Sequence, residues 1–287
     1  MDDTYAGSIS GGASIEKTGK YTQTIGGNVA TSAGFTTITE GDMIINGSLT
    51  TARLHLAGGN LSVGQGLKAT SVIVDYNNGD PGKATLAVTG DAAISGGIHL
   101  QKGSMSVSGN IGAGSLSMDQ GTELNFGGDF ISLSDGESIL AEGSVLNGNG
   151  IIFVDKGATF TNNGVLFQGD ILVSMSGTGS ASIAADTTFQ ELSGSGNLTL
   201  NGNSPTATLA GDRQATFSGQ LLGAGTLLKT GRGVQFLNTS GNRNFNIDIQ
   251  NGVMVVNAPE TGSNAIEYAH INVGQPDGNP ALRTADA

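Results

Sequence analysis

Short runs of alternating apolar residues, each closed by a glycine-rich turn, recur along nearly the whole chain. In residues 98–133 the apolar residues stand two apart, which directs each pair to one face of a strand. The pairs are Ile98 and Leu100, Met105 and Val107, Leu116 and Met118, Leu124 and Phe126, and Ile131 and Leu133. Glycine-containing turns between them supply positive backbone angles at little cost. The pattern predicts short strands, each renewed after about ten residues.

The same pattern continues in segments 53–64, 84–96, 151–164 and 193–212. A helical stripe is nowhere sustained for a dozen residues. The chain also contains 48 glycines, and each glycine inside a helix would destabilise it by about 1 kcal/mol. An all-β fold is therefore predicted.

Two all-β architectures fit such a string, namely a sandwich or barrel of antiparallel hairpins and a parallel β-helix. The side chains are mostly small, and only 5% of the residues are aromatic. Ladders of like small residues are expected when each strand stacks on the strand one coil earlier. We expect a right-handed parallel β-helix of roughly a dozen coils, each of about 20 to 25 residues.

The negative net charge argues against nucleic acids as binding partners. The formal net charge is −12, whereas nucleic-acid binding needs a lysine- and arginine-rich surface. No run of 18 apolar residues occurs, and the start, MDDTYAGSIS, lacks the basic and apolar regions of a secretory signal. The chain is therefore expected to be either cytoplasmic or part of a longer precursor, to be monomeric and not to bind nucleic acid.

One phrase of the sequence occurs twice. The first copy contains YAGSISGGASIEKTG (residues 5–19), which aligns at a constant offset with FSGQLLGAGTLLKTG (217–231) in the second copy. It also contains EGDMIIN (40–46), which aligns with NGVMVVN (251–257). The matched residues include Tyr5 with Phe217, Gly7 with Gly219, Ile15 with Leu227, Lys17 with Lys229, Gly19 with Gly231, Asn28 with Asn242, and Phe35 with Phe245. Glycine bias alone does not produce matches this dense over some forty residues.

This unit resembles the passenger-associated transport repeat of bacterial autotransporters. The usual form of that repeat has an aromatic-Ser-Gly start, Gly-x-Gly, an apolar-x-Lys-x-Gly core, a Gly-Asn turn and a closing strand that ends in Val-Asn. The second copy is the closer match. Two departures occur: Gln235, Phe236 and Leu237 stand where Leu-x-Leu is usual, and the first copy lacks Gly-x-Gly before its lysine. The resemblance covers residues 5–46 and 189–257.

The resemblance implies a segment of an autotransporter passenger, secreted or displayed on the surface of a Gram-negative bacterium. Such a segment is a non-catalytic scaffold or adhesin-type module that also aids its own translocation across the outer membrane. Its partners would be its own C-terminal β-barrel translocator and, as a ligand, a host surface protein or glycan. The absence of cysteine suits a chain that crosses a pore unfolded after an oxidising compartment.

The expected organisation has four parts. Residues 1–46 form coils with the first repeat, and residues 47–188 form central coils with a loop excursion near 75–83. Residues 189–257 form coils with the second repeat, and residues 258–287 form a terminal strand and tail.

The residues that stand out within the repeats have structural interpretations. Lys17 and Lys229 are expected at an exposed strand edge or turn, where a charge discourages edge pairing. Asn28, Asn46, Asn242 and Asn257 are expected to form stacked amide ladders or turn caps.

No catalytic motif is present, so no catalytic residue, cofactor or metal ligand is predicted. His55, His99 and His270 are expected to be exposed on strands. In the loop 75–83, Asp75, Asn77 and Asp80 offer oxygen ligands, but their spacing does not fit an EF-hand. An ordinary surface loop is therefore the preferred interpretation.

The alternative function is a carbohydrate-active β-helix, either a polysaccharide lyase or hydrolase or a protein like a phage tailspike. Such enzymes use acids clustered on one face of the coils. Coil stacking could bring together Asp119, Glu123, Asp129 and Asp135.

Overall fold

The computed structural model consists of short β-strands joined by turns. It describes residues 2–75, 84–155, 158–163, 166–168, 171–175, 180–184, 186–189, 192–201, 204–239, 245–257, 270–273 and 281–284. The strands are β1 Asp3–Tyr5, β2 Ile9–Ser10, β3 Ile15–Lys17, β4 Gln23–Ile25, β5 Val29–Ile38, β6 Asp42–Ile45, β7 Leu49–Leu56, β8 Asn60–Val63, β9 Leu67–Val74, β10 Thr85–Val88, β11 Ala92–Leu100, β12 Ser104–Val107, β13 Ile111–Met118, β14 Glu123–Phe126, β15 Phe130–Leu133, β16 Glu137–Leu140, β17 Val145–Gly148, β18 Gly150–Val154, β19 Thr159–Asn162, β20 Leu166–Gln168, β21 Ile171–Met175, β22 Ser180–Ile183, β23 Thr187–Phe189, β24 Leu192–Gly194, β25 Asn197–Leu200, β26 Thr206–Leu209, β27 Gln214–Phe217, β28 Gln220–Gly223, β29 Gly225–Lys229, β30 Val234–Leu237, β31 Phe245–Ile249, β32 Val253–Val256, β33 His270–Val273 and β34 Ala281–Thr284.

The chain divides into two compact units. Unit 1 comprises residues 1–133 and 140–149, and unit 2 comprises residues 134–139 and 150–287.

In unit 1 every strand pairs in parallel with a strand one coil away. The Cα partners run in a ladder in which each residue lies 18 to 25 positions after the one before: Val29, Leu49, Leu67, Ala92 and Ile111. This pairing makes the unit a β-solenoid, and the prediction of an all-β parallel coil is confirmed. The right-handed sense of the coil stays a prediction.

Each central coil of unit 1 contains three straight segments. One is a short strand in the sheet β1, β4, β6, β8, β10, β12, β14 and β17. The other two belong to one long strand that changes register partway, as β5 does between Thr31 and Phe35. Strand β11 shows a similar shift after Ile94. Such bulges bend a strand and re-aim the side chains that follow.

The core of unit 1 is a set of aliphatic stacks that follow the coils. One stack contains Ile38, Leu56, Val74, Leu100 and Met118, which are register partners and are buried. Burying an aliphatic side chain of this size contributes about 1.5 to 3 kcal/mol. Alternation thus places every second residue of a segment in the core and leaves the residues between them outside.

Side-chain oxygens close the turns by accepting hydrogen bonds from the backbone of the next coil. Asp91 Oδ1 accepts from the Asn110 amide at 2.8 Å. Asn110 Oδ1 accepts in turn from the amides of Asp129 at 2.7 Å and Phe130 at 3.1 Å. Each coil therefore supplies the turn caps of the next.

Unit 2 repeats this construction with three ladders of parallel strands. One ladder joins β19, β22, β25 and β28. A second joins β23, β26, β29, β31 and β33. A third joins β27, β30, β32 and β34.

The distance between stacked turns explains part of the glycine content. A Cβ atom at Gly128 would lie 2.3 Å from the carbonyl carbon of Gly109, in the coil below. By contrast, a Cβ at Gly112 would meet no atom within 4 Å. Glycine is thus required where backbones touch and is optional elsewhere.

We expect Gly128→Ala to lower the free energy of unfolding by about 1 to 3 kcal/mol, because the new methyl group overpacks the turn. The matched control, Gly112→Ala, should leave stability within about 1 kcal/mol of the parent. Urea unfolding followed by circular dichroism measures both. Equal stability of the two variants would contradict the close-packing explanation.

Candidate functional site

The two copies of the repeat fold into the same order of strands, each within its own unit. Strands β1 to β6 of the first copy correspond in sequence to β27 to β32 of the second. Equivalent residues take equivalent places: Tyr5 and Phe217 end β1 and β27, and Lys17 and Lys229 end β3 and β29. The two copies are therefore similar in strand order as well as in sequence.

The lysine of the first copy points into the coil and is 9% exposed. Lys17 Nζ donates hydrogen bonds to the carbonyls of Thr18 at 3.1 Å and Glu40 at 3.0 Å, and also to the carbonyl of Gly19. The first two acceptors lie in different coils, so the ammonium group joins the turn after β3 to the turn before β6.

The lysine of the second copy is less exposed, at 2%, and one of its contacts is equivalent to a contact of Lys17. Lys229 Nζ donates to the carbonyl of Gly211 at 3.0 Å and to that of Gly231. Gly19 and Gly231 are equivalent residues of the two copies. The acceptor in the adjoining coil differs, since it follows Lys17 in the chain but precedes Lys229.

A glycine from the next coil completes each arrangement. Gly41 and Gly252 have positive φ values of 70° and 79°. A Cβ on Gly41 would lie 2.5 Å from the Gly19 carbonyl oxygen, and a Cβ on Gly252 would lie 2.2 Å from that of Gly231. We name each set of lysine, turn glycine and covering glycine a lysine turn: Lys17, Gly19 and Gly41 in copy one, and Lys229, Gly231 and Gly252 in copy two.

The expectation that Lys17 and Lys229 occupy exposed positions is wrong. Each lysine stands two residues after an inward apolar residue, Ile15 and Leu227 respectively, so strand parity places it in the interior. Burial is tolerated because the ammonium group is hydrogen-bonded to carbonyls instead of water. The parity was visible in the sequence, but the carbonyl acceptors are supplied only by the coiled fold.

The surroundings of the equivalent aromatic residues differ between the copies. A cavity of about 300 Å³ opens beside Lys17 and is lined by apolar residues that include Tyr5, Ile9 and Met43. Tyr5 is exposed, whereas its counterpart Phe217 is fully buried. The interior is thus more open beside Lys17 than at Phe217.

A buried glutamine explains the departure from Leu-x-Leu in the second copy. Gln235 Nε2 donates to the Leu192 carbonyl at 2.9 Å, and Gln235 Oε1 accepts from the Leu192 amide at 3.3 Å. Leu192 lies 43 residues earlier, at the start of β24, where pairing with β27 is limited to Gly194 and Phe217. Gln235 therefore satisfies a peptide group that the ladder leaves open.

The asparagines of the repeats are only partly accounted for. Asn28 Oδ1 accepts from the Ser48 amide at 2.9 Å, which confirms a turn cap. Asn257 Nδ2 donates to Asn238 Oδ1 at 2.5 Å, which confirms an amide pair between coils. Asn46 is exposed, and Asn242 lies outside the described residues.

Two of the three histidines lie on the outer surface of unit 1. His99 and Asp119 are 3.3 Å apart, and His99 also lies 3.4 Å from the side-chain amide of Gln101. Burial and, secondarily, the nearby Arg53 lower the pKa of His55, while Asp75 opposes them. His55 is therefore neutral at pH 7. The side chain of His270 and, apart from Asp75, the loop 75–83 lie outside the described residues.

The acids considered for catalysis do not stack on one another in unit 1. Asp119 follows β13, Glu123 begins β14, and Asp129 precedes β15. The register partners of Glu123 are Ser104 and Val145. Asp135 belongs to unit 2. Within the described residues, no three histidine or acidic side chains are arranged to hold a metal ion.

No protein-family model, curated protein or solved structure matches this chain. In the described part of the chain, no helix has the length and hydropathy needed to cross a bilayer.

Replacing Lys229 by methionine keeps most of the buried hydrocarbon and removes the donors. We expect Lys229→Met to lower the free energy of unfolding by about 1 to 3 kcal/mol, because the turn carbonyls lose their partner. Lys68→Met, at an exposed lysine, is the control and should change stability by less than about 0.5 kcal/mol. Urea unfolding that fails to distinguish the two variants would refute the role of the lysine turn.

Gln235→Leu restores the usual residue of the repeat but removes both side-chain hydrogen bonds to the Leu192 peptide group. We expect a loss of about 1 to 3 kcal/mol despite the added apolar surface. Amide hydrogen exchange should show faster exchange at Leu192. Gln214→Leu changes an exposed glutamine of neighbouring β27 and should leave that exchange rate unaltered. A more stable Gln235→Leu protein would show that the two hydrogen bonds do not matter.

Proposed function

We propose that the chain is a segment of an autotransporter passenger, secreted by or displayed on a Gram-negative bacterium. In this role it is a non-catalytic β-helical scaffold or adhesin-type module that also aids its own translocation. The observation that carries the proposal is the lysine turn, which both copies of the transport-type repeat build from equivalent residues.

The solenoid construction gives translocation a physical basis. Each coil buries its apolar face and pairs its backbone only with its neighbours, so one folded coil templates the next. A chain that emerges from a pore can therefore fold progressively, and the folded coils oppose its return. The repeat with the more buried lysine turn, residues 217–257, is the stronger candidate for the nucleus.

The partners follow from the same role. A C-terminal β-barrel translocator would carry the chain across the outer membrane. With a net charge of −12, the displayed segment is soluble and resists self-association, which suits a monomer. Ligands, whether a host surface protein or a glycan, would meet the outer faces and loops of the coils.

The alternative, a carbohydrate-active enzyme, receives no specific support from the geometry. In unit 1 the acids occupy successive segments of a coil instead of successive coils of one face.

Display at the cell surface tests the proposal. The full chain is placed between a signal peptide and a β-barrel translocator in a Gram-negative host, and surface exposure is measured with an antibody and external protease. We expect the parent to reach the surface and Lys229→Met to reach it in several-fold lower amount, since the nucleus folds less readily. Lys68→Met should match the parent.

Two outcomes would overturn parts of this proposal. If the parent chain is retained in the periplasm, the passenger role fails. If all three proteins reach the surface equally, the passenger role stands and the contribution of the repeat to export fails. Limited proteolysis of the purified chain in rising urea gives an independent check, since residues 189–257 should outlast the N-terminal half.

A further inference from the structure

An exposed phenylalanine marks one outer face of unit 1. Phe35 is 53% exposed, and it is the only exposed phenylalanine among those whose side chains the structure describes. Its neighbour Thr36 is buried, which fixes the ring on the outer side of β5. A large exposed aromatic ring on a regular sheet is a common element of binding surfaces.

The backbone around Phe35 is held by the preceding coil. A Cβ at Gly34 would lie 2.3 Å from the Ala13 carbonyl oxygen, so the two backbones touch there. The Phe35 amide donates to Ser14 Oγ at 3.0 Å. The register shift between Thr31 and Phe35 falls at this point. A bulge of this kind re-aims the residue that follows it, here Phe35.

The strand position next to Phe35 in the following coil is occupied by an arginine. Arg53 is the Cα partner of Phe35 and is itself the partner of Ser71. Arg53 is exposed, and the buried Leu54 that follows it confirms its outward direction. Within the part of the chain that the structure describes, no carboxylate forms an ion pair with Arg53. We name Phe35, Arg53, His55 and Ser71 the Phe35 face.

The permanent positive charge of this face comes from Arg53, and two carboxylates lie farther out. His55 lies two residues beyond Arg53 on the same outer side, with Thr37 and Ile73 as its register partners. Two carboxylates lie at the edge of this face. Glu16 is the Cα partner of Thr37 in the preceding coil, and Asp75 follows Ile73 by two residues, just after the end of β9. A guanidinium group without an ion-pair partner among the described residues is a local exception in a chain of net charge −12, and it suits a carboxylate.

We propose that the Phe35 face binds a carboxylated polysaccharide of the uronate class. The apolar face of one sugar ring packs on Phe35, and the Arg53 fork holds a carboxylate. His55 and Ser71 exchange hydrogen bonds with hydroxyl groups. No chemical step is involved.

Other anionic polymers fit this face less well. Nucleic acids and anionic bilayers are held by many lysines and arginines acting together, whereas the Phe35 face has one permanent cation. The neutral state of His55 suits hydroxyl groups, since a neutral imidazole both donates and accepts a hydrogen bond. A uronate polymer presents apolar ring faces, hydroxyls and spaced carboxylates, which are the groups that these side chains complement.

Isothermal titration of the full chain with polygalacturonate oligomers tests this inference. We expect the parent to bind and Phe35→Ala and Arg53→Gln each to bind about tenfold more weakly, the equivalent of one lost contact to a charged or stacked group. Two exposed residues outside the face give matched controls. Lys68→Gln removes the same charge from the first segment of β9, and Tyr21→Ala removes an aromatic ring from the turn before β4. Both should stay within about twofold of the parent.

Three results would overturn the inference. The first is the absence of binding by the parent chain, and the second is an equal loss in Lys68→Gln and Arg53→Gln. The third is tighter binding of neutral dextran, dextran sulfate or single-stranded DNA than of polygalacturonate. Urea midpoints of all variants show whether each is folded, so a loss of binding by unfolding is recognised. The outcome is independent of export, because the purified chain is used.

Discussion

The hydrogen bonds between strands one coil apart are the constraint on which the rest of this structure depends. They fix each coil at about 4.8 Å from the next, so every position in a coil lies directly over its register partner. The stacks of buried aliphatic residues follow from that spacing, and so does the need for glycine where turns touch, as at Gly128. The same spacing lets Asn110 cap the turn of the following coil with one side-chain oxygen.

Polar groups enter the interior where the ladder leaves backbone groups without a strand partner. Lys17 and Lys229 supply donors to turn carbonyls, and Gln235 supplies both a donor and an acceptor to Leu192. In each case a long side chain crosses the gap between coils that a short one cannot cross. Removal of any of these side chains is expected to lower the free energy of unfolding, because it leaves a buried peptide group without a hydrogen-bond partner. The penalty for that unpaired group is larger than the net stabilisation from the hydrogen bond itself. These side chains connect neighbouring coils, and the lysine contacts occur in both repeats.

The fold was largely predictable, whereas the details of the sites were predictable only in part. Alternation over residues 98–133 is a local property, so it revealed strands, and small side chains with glycine turns favoured coils over a sandwich. The turn cap at Asn28 was also expected. The burial of Lys17 and Lys229 was missed, although their spacing from Ile15 and Leu227 contained the signal, because a charged residue was weighed above strand parity.

The sequence by itself determined the all-β class, the parallel coils and the equivalence of the two repeats, since these depend on periodicity that is written along the chain. Only the tertiary structure decided which groups meet. Gln235 finds Leu192 across 43 residues, and Arg53 stands beside Phe35 because a bulge at Gly34 sets the register of β5 against β7. Coil length and bulge position determine such meetings, and a change of one residue in either would turn each side chain to the opposite face.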